Sequence, residues 1–337
     1  MPSLLCCQEE HASAWNTFVR ANGGHYGHLY EWKTVLERSY GLECHFLAVL
    51  EQGAWRAILP LARLPWPRSG RLVSLPYNGA GGLLPVNCPA APPLLREWMA
   101  EKGFSSLELR HLAPEAAVTP KAQVDMVLRL PGDAETYLNG LSRKKRGNIR
   151  NVQRKGMTLA WGADQIDEFY RAYAENMGHL GTPVHAKKYF REIAVVFGAA
   201  VEILTVWKGK ELLGGMLILV YEKSWAVLFS SCRPPFSSLN PNECMYYEAI
   251  CQAILRKARE FDFGRSPEGS NTWQFKRRWG CEAIPLDYVT LTPEGLDNRA
   301  SAKFYATRKA KMAALGWSRL PGGIQNLLGP LLRKYIP

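Results

Sequence analysis

The sequence predicts an α/β (α+β) protein made of two similar halves in tandem, each a mixed twisted sheet flanked by helices. Three observations lead there. A chain of 337 residues is longer than one core comfortably fills and suits two cores of about 150 residues each. Hydrophobic residues make up 47% and aromatics 11%, enough to bury such cores and too much for a disordered chain. One order of helical and strand periodicities also occurs twice.

In the first half, residues 8–20 and 29–39 carry helical spacing. The next segments read as strands at 43–50 and 55–64, a hairpin around Glu51-Gln52-Gly53-Ala54, and a further strand at 71–75. A loop rich in Pro and Gly, Leu75 to Gly82, separates these from a helix at 91–102 and strands at 105–111 and 123–130. After a basic helical connector the order returns. Helices fall at 163–177 and 186–197, and strands at 201–207, 211–221 and 224–231. A long helix follows at 242–259, with Asn240 as cap and Pro241 in the first turn. A short strand at 260–264, a helical turn at 272–279 and a strand at 284–291 close the half.

Two helices, three meandering strands, a helix and further strands is the order of the acetyltransferase (GNAT) fold, here duplicated. The predicted boundaries are a first domain at 1–140, a connecting helix at 141–156, a second domain carrying the site at 157–295, and a basic amphipathic tail at 296–337. The formal charge of +12 is concentrated at 143–155 and 299–311, which points to polyanionic partners or an anionic bilayer surface, with a bland basic surface as the alternative. Eight cysteines without a CxxC pair argue against zinc and against a secreted disulfide scaffold. No apolar run is long enough to span a bilayer and the N-terminus lacks a signal-peptide pattern, so the expected location is the cytoplasm, with peripheral contact to the inner membrane leaflet open.

Several segments then carry a resemblance: His28-Leu29-Tyr30-Glu31-Trp32, the loop from Pro76-Tyr77 to Gly81-Gly82-Leu83, the run SRKKRGNIRNVQRKGM from Ser142, Leu180 to His185, and FDFGRS from Phe261 with WQFKRRWG from Trp273. Together, over residues 15–335, they resemble the Fem-type (FemAB) peptidyl- and aminoacyltransferases, more narrowly the branch associated with exosortase and exopolysaccharide loci. The resemblance implies a double GNAT-like fold and transfer of an amino acid from aminoacyl-tRNA to an amine of a cell-envelope precursor. The helical-hairpin arm that several such enzymes insert in the second half is not seen in this sequence.

If 260–264 is a strand, Arg265 and Ser266 fall beyond its carboxyl end, where open α/β sheets place ligands. On the next helical turn Trp273, Phe275 and Trp279 would pack down and leave Lys276 facing that cleft. Acyl transfer to an amine passes through an anionic tetrahedral oxygen, which a fixed ammonium stabilises. The resemblance carries this role onto Lys276; a solvated triplet Lys276-Arg277-Arg278 is the alternative. Between Leu141 and Lys155 stand seven basic residues and no acidic one. As a helix, this segment aligns Arg143, Arg146, Arg150 and Arg154 in one stripe fit for phosphates of tRNA or of a lipid- or nucleotide-linked acceptor, with Leu141, Ile149 and Val152 as the apolar seam. A solvated linker helix remains the alternative.

Tyr77 and Asn78 are substrate contacts if the glycine-rich loop admits a ligand. By the resemblance Thr182 and His185 line the cleft, His185 as orienter or base of the attacking amine. Glu243 and Tyr247, near the start of the long helix, are further substrate-binding candidates. No metal and no tightly bound cofactor is expected. An acyl-CoA-dependent N-acyltransferase acting on an amino sugar is the rival. Its pyrophosphate signature is missing, since Arg20-Ala21-Asn22-Gly23-Gly24-His25 begins like it but ends in histidine. A non-catalytic RNA- or membrane-binding protein is the third alternative.

Overall fold

A computed structural model describes residues 1–65, 70–116, 118, 122–297 and 316–336. The basic block at 299–311 lies outside the described residues. The chain divides into two compact units, one of Met1–Pro114 with the segments starting at Leu286 and Pro330, the other of Glu115–Pro285 with the segment ending at Gly329.

The first unit is a mixed sheet with helices α1 (Ala12–Ala21), α2 (Glu31–Tyr40) and α3 (Ala91–Lys102). Its strands run in the order β1 (Ser3–Cys6), β2 (Cys44–Glu51), β3 (Ala54–Arg63), β4 (Arg71–Ser74), β5 (Ser106–Leu112), followed by residues 286–291 of strand β12 (Glu282–Thr292) and the short β13 (Gly295–Asp297). Among its described strands only β4 and β5 run parallel. The β2–β3 hairpin turns on Gln52 and Gly53, both at positive φ, the geometry that matches strand twist in a two-residue turn. Leu47, Leu59, Leu61, Leu72, Leu95 and Leu107 fill the core between sheet and α3.

The second unit places residues 282–285 of β12 beside β6 (Gln123–Arg129), then β11 (Glu260–Pro267), β10 (Ser224–Cys232), β9 (Glu211–Tyr221), β8 (Val201–Lys208) and β7 (Thr158–Trp161). Again one neighbouring pair, β10 with β11, is parallel. Helices α4 (Ala134–Gly140), α5 (Arg143–Gln153), α6 (Ile166–His179), α7 (Lys187–Phe197), α8 (Pro241–Leu255) and α9 (Asn271–Arg277) belong to it. Met216, Ile218, Trp225, Met245, Ile250, Phe261 and Trp279 form its buried core. A last helix, α10 (Gly322–Arg333), follows.

The duplicated α/β architecture matches the sequence expectation element for element over most of the chain. Four differences matter. Strand β6, placed by sequence order in the first half, is hydrogen-bonded to β11 and β12 in the second unit, while residues 286–291 pair with β5 in the first. Strands β1 and β7 and helix α4 were not anticipated. Asn240 precedes α8 in a left-handed conformation and makes no side-chain cap. Finally, β11 does not stop at Gly264: it bulges there and continues to Pro267. Arg265 and Ser266 are therefore in the strand, opposite Asp125 and Val124 of β6.

Candidate functional site

The parallel ladder between β10 and β11 ends at Ala226–Asp262, although both strands continue, to Cys232 and Pro267. Each strand bulges just past that point, at Val227/Phe229 and between Asp262 and Arg265. A bulge increases local twist and turns a strand away from its neighbour, so the two strands part at their carboxyl ends, within the second unit. Gly264 sits at φ +73°, in the left-handed region where a side chain would be strained.

Helix α9 packs beneath this parting. Ser270 caps it by accepting from the amide of Trp273 at 3.2 Å. Trp279 is fully buried against Phe263 and Phe275. Of the basic triplet, Arg277 and Arg278 are exposed and Lys276 is buried. The Lys276 ammonium donates to the carbonyls of Gly264 at 2.8 Å and Arg265 at 3.0 Å, so it pins the bulge and keeps one N–H for another acceptor. Burial lowers its pKa to about 8, with Asp125 and Asp262 working in the opposite direction.

Those two carboxyls complete the cluster. Asp262 accepts from the Gly264 amide at 2.6 Å and shares a hydrogen bond with Asp125. Burial, and then the neighbouring Asp125, push Asp262 well above the usual carboxylate range; burial also raises Asp125. Two carboxyls this close keep a proton between them. Among the described residues, Oδ1 of Asp125 and Oγ of Ser266 are buried without a hydrogen-bond partner. Neither carboxyl was among the expected site residues. Their signal was a charged residue between buried apolar ones, in Val124-Asp125-Met126 and Phe261-Asp262-Phe263.

Helix α5 borders the same region. Ser142 caps it through the amide of Lys145, and Leu141, Ile149 and Val152 are buried as the seam required. Arg143, Arg150 and Arg154 are exposed, whereas Arg146 turns back to the carbonyls of Asn139 and Leu141 at the end of α4. The buried cation of the helix is Lys145, which no spacing argument singled out. Its ammonium lies 2.6 Å from Glu243 and 3.3 Å from the Trp279 ring centroid; burial lowers its pKa to about 8, and Glu243 offsets part of that. Glu243 is thus a partner of Lys145. A polar pocket of about 320 Å³ opens between α5 and the start of α8, lined by Asn148, Asn151, Asn240, Asn242, Glu243 and Arg278 among others.

The other candidates lie apart from this cluster. His185 is buried, stacked on Tyr189 at 4.8 Å and edge-on to Phe229 at 5.6 Å; Phe229 stands on β10 at the bulge, which ties the histidine to the wall of the parting. Thr182 is exposed, and Tyr247 is half-buried on α8. Tyr77 and Asn78 belong to the first unit. There the Tyr77 hydroxyl donates to the carbonyl of Lys334, and the Asn78 carbonyl accepts from Arg110. The glycines of that loop are spent on its own unit. A Cβ on Gly82 would come within 2.3 Å of the His111 ring, and one on Gly81 within 2.9 Å of the Gly27 carbonyl. Their close approach is to protein rather than to a ligand. Among the described residues no group of three or more His, Cys, Asp or Glu side chains could hold a metal ion.

Comparison with known proteins bears on the fold. Residues 143–277 match a family model described as an acetyltransferase (GNAT) domain. No curated protein matches the sequence. Among solved structures the chain is similar to FemX, with 13% identity, 84% of this chain and 95% of that chain covered and a TM-score of 0.61. It is also similar to a tandem GNAT protein from the clavulanic acid biosynthesis pathway, with 12% identity, 87% and 98% coverage and a TM-score of 0.54. A third likeness is to the C-terminal domain of a protein described as a lysylphosphatidylglycerol synthetase from Agrobacterium fabrum, with 12% identity, 91% and 93% coverage and a TM-score of 0.55. The fold is therefore a tandem GNAT fold. By class the protein is an acyltransferase.

Proposed function

We propose that the chain is an aminoacyltransferase of FemAB type that moves an amino acid from aminoacyl-tRNA to an amine of a cell-envelope or exopolysaccharide precursor. The observation that carries this is the buried Lys276 ammonium, fixed on two main-chain carbonyls where β10 and β11 part. In the proposed step the acceptor amine attacks the ester carbonyl carbon, a C–N bond forms and the carbonyl oxygen becomes anionic. The remaining N–H of Lys276 stabilises that oxygen. Collapse of the intermediate breaks the C–O bond to the tRNA ribose, and the proton released by the amine goes to the departing hydroxyl. With a pKa of about 8 the lysine is mostly protonated at neutral pH, as this role needs.

The donor assignment rests on the basic face of α5. Arg143, Arg150 and Arg154 are exposed on α5 and suit phosphates of a nucleic acid or of a lipid- or nucleotide-linked acceptor. His185, held by Tyr189 beside Phe229, would act as a positioning residue on the wall. No tightly bound cofactor enters the scheme. The test is transfer of a labelled amino acid from charged tRNA to an amino-sugar or peptide precursor; undiminished transfer in Lys276→Ala would remove the catalytic role.

The acetyltransferase model that matches residues 143–277 favours a second reading, in which an acyl-CoA is the donor and an amino sugar the acceptor. Against it stand the prolines of the β10–α8 connection, Pro234, Pro235 and Pro241. They remove amides from the place where a helix N-terminus would hold a phosphate. A rise in melting temperature with CoA, and none with aminoacyl-tRNA, would decide for this reading.

A further inference from the structure

The C-terminal helix has a feature that acyl transfer leaves unused. One face of α10 is locked down: Gln325 donates through Nε2 to the carbonyls of Trp317 at 2.8 Å and Gly178 at 3.4 Å. At Gly329 the packing is so close that a Cβ would lie 2.6 Å from a Val184 methyl. These contacts fix which way the helix faces. Its other face presents Ile324, Leu327, Leu328, Leu331 and Leu332, all exposed, with Leu327 at 72% and Leu331 at 57%. The i, i+3, i+4, i+7 spacing of Ile324, Leu327, Leu328 and Leu331 makes this a continuous stripe, and Leu320 just before the helix extends it. An apolar surface of this kind on a docked helix marks an interaction site.

Charge decides the occupant. No acidic residue follows Asp297, while Arg299, Lys303, Arg308, Lys309, Lys311, Arg319, Arg333 and Lys334 are all basic. Arg319 stands just before the stripe and Arg333 and Lys334 just after it. A second copy of the chain docked here would set basic rim against basic rim. A surface of anionic lipid headgroups over acyl chains meets both halves of the pattern, the leucines below and the cations at headgroup level.

We propose that α10 is a membrane-surface anchor that lies flat on an anionic bilayer through Ile324, Leu327, Leu328 and Leu331. Among the described residues no helix is long and apolar enough to cross a membrane, so the contact is interfacial. This inference goes beyond the transfer reaction and does not depend on which donor is used.

The experiment is co-sedimentation of the full chain with vesicles of phosphatidylcholine alone and of phosphatidylcholine mixed equally with phosphatidylglycerol, without any transfer assay. The chain should partition onto the mixed vesicles, less onto the neutral ones, and less at raised salt. Leu327→Gln with Leu331→Gln should lower the partition coefficient by roughly tenfold or more with an unchanged circular-dichroism melt, since both side chains are exposed. Arg319→Gln with Lys334→Gln should weaken only the preference for anionic lipid. Failure to bind the mixed vesicles, or binding that the leucine pair does not change, would overturn the proposal. A dimer in analytical ultracentrifugation that the leucine pair abolishes would overturn it too, in favour of contact between copies.

Discussion

In each unit the strand that runs parallel to its predecessor carries an acidic residue at the last ladder position, Glu108 opposite Val73 in the first and Asp262 opposite Ala226 in the second. The surroundings then diverge. Glu108 is held by Arg110 at 2.7 Å and Arg71 at 2.5 Å. Burial would raise its pKa, yet the two guanidiniums outweigh that and leave it lowered. Arg110 reaches on to the Asn78 carbonyl, so the unit's own loop fills the space. Asp262 instead meets another carboxyl, a glycine bulge and a lysine, and its pKa is raised. One half has neutralised and filled the position; the other keeps it strained and under-partnered. Perturbed buried groups concentrate where chemistry is done, which argues for the second unit as the working half.

The strongest way to break this comparison is Glu108→Gln. It leaves Arg110, 1% exposed, with a buried charge and no full counter-ion, and should cost about 3–5 kcal/mol of stability in urea melts. A loss under about 1 kcal/mol would mean the first unit is not held by this pair. Next is Lys276→Ala. Removal of one oxyanion donor should lower kcat by about 10²–10³-fold with little change in KM, measured by the labelled-transfer assay.

Asp262→Asn sharpens the contrast through pH. The native carboxyl retains a proton above 3.8, whereas the unfolded chain releases it there, so the native state binds more protons. Stability from this group therefore falls as pH rises between 3.8 and the raised value. Asparagine removes that slope, so the variant should gain stability relative to the parent as pH rises above 3.8, read from urea melts at a series of pH values. Parallel stability curves would show that Asp262 ionises normally. The smallest effect belongs to Arg154→Gln on exposed α5. Its melting temperature should match the parent, within about 0.5 kcal/mol, while the salt slope of RNA binding drops by about one unit; an unaltered slope would free this arginine of any phosphate role.

Much of the fold was legible because its signals are local. The short apolar runs Phe46 to Leu50 and Ile203 to Val206, the turn residues Gln52-Gly53, and the apolar face of Met245, Ala249, Ile250 and Ala253 each mark an element without reference to anything distant. Short pieces such as Ser3–Cys6 and Thr158–Trp161 escaped, because four residues form a strand only when a neighbour supplies the ladder. The site was legible to the extent that one side chain could be picked from its helix. Aromatic spacing turns Lys276 towards the sheet and the resemblance gives it a role, but its contact with the Gly264 carbonyl depends on a bulge that composition does not announce. Lys145 among six other cations, and Asp125 more than 130 residues before Asp262, needed the fold. Likewise Gly81 and Gly82 advertise close approach equally for a ligand or for the chain itself, and only packing shows the Gly27 carbonyl beside the first and His111 beside the second.

Strand β6 and the opening residues of β12 have a practical bearing on how the molecule can be cut. The segment 143–277 omits both, and with them Asp125 and the hydrogen-bonding edge of β11. Expressed by itself, that fragment would expose an unpaired strand rim prone to self-association, and it would lack one of the two acids beneath the lysine. Separation at residue 140 carries β6 away from its partners and strips β5 of residues 286–291. The minimal unit for refolding, truncation or activity work is accordingly the chain from β1 to β12 in one piece.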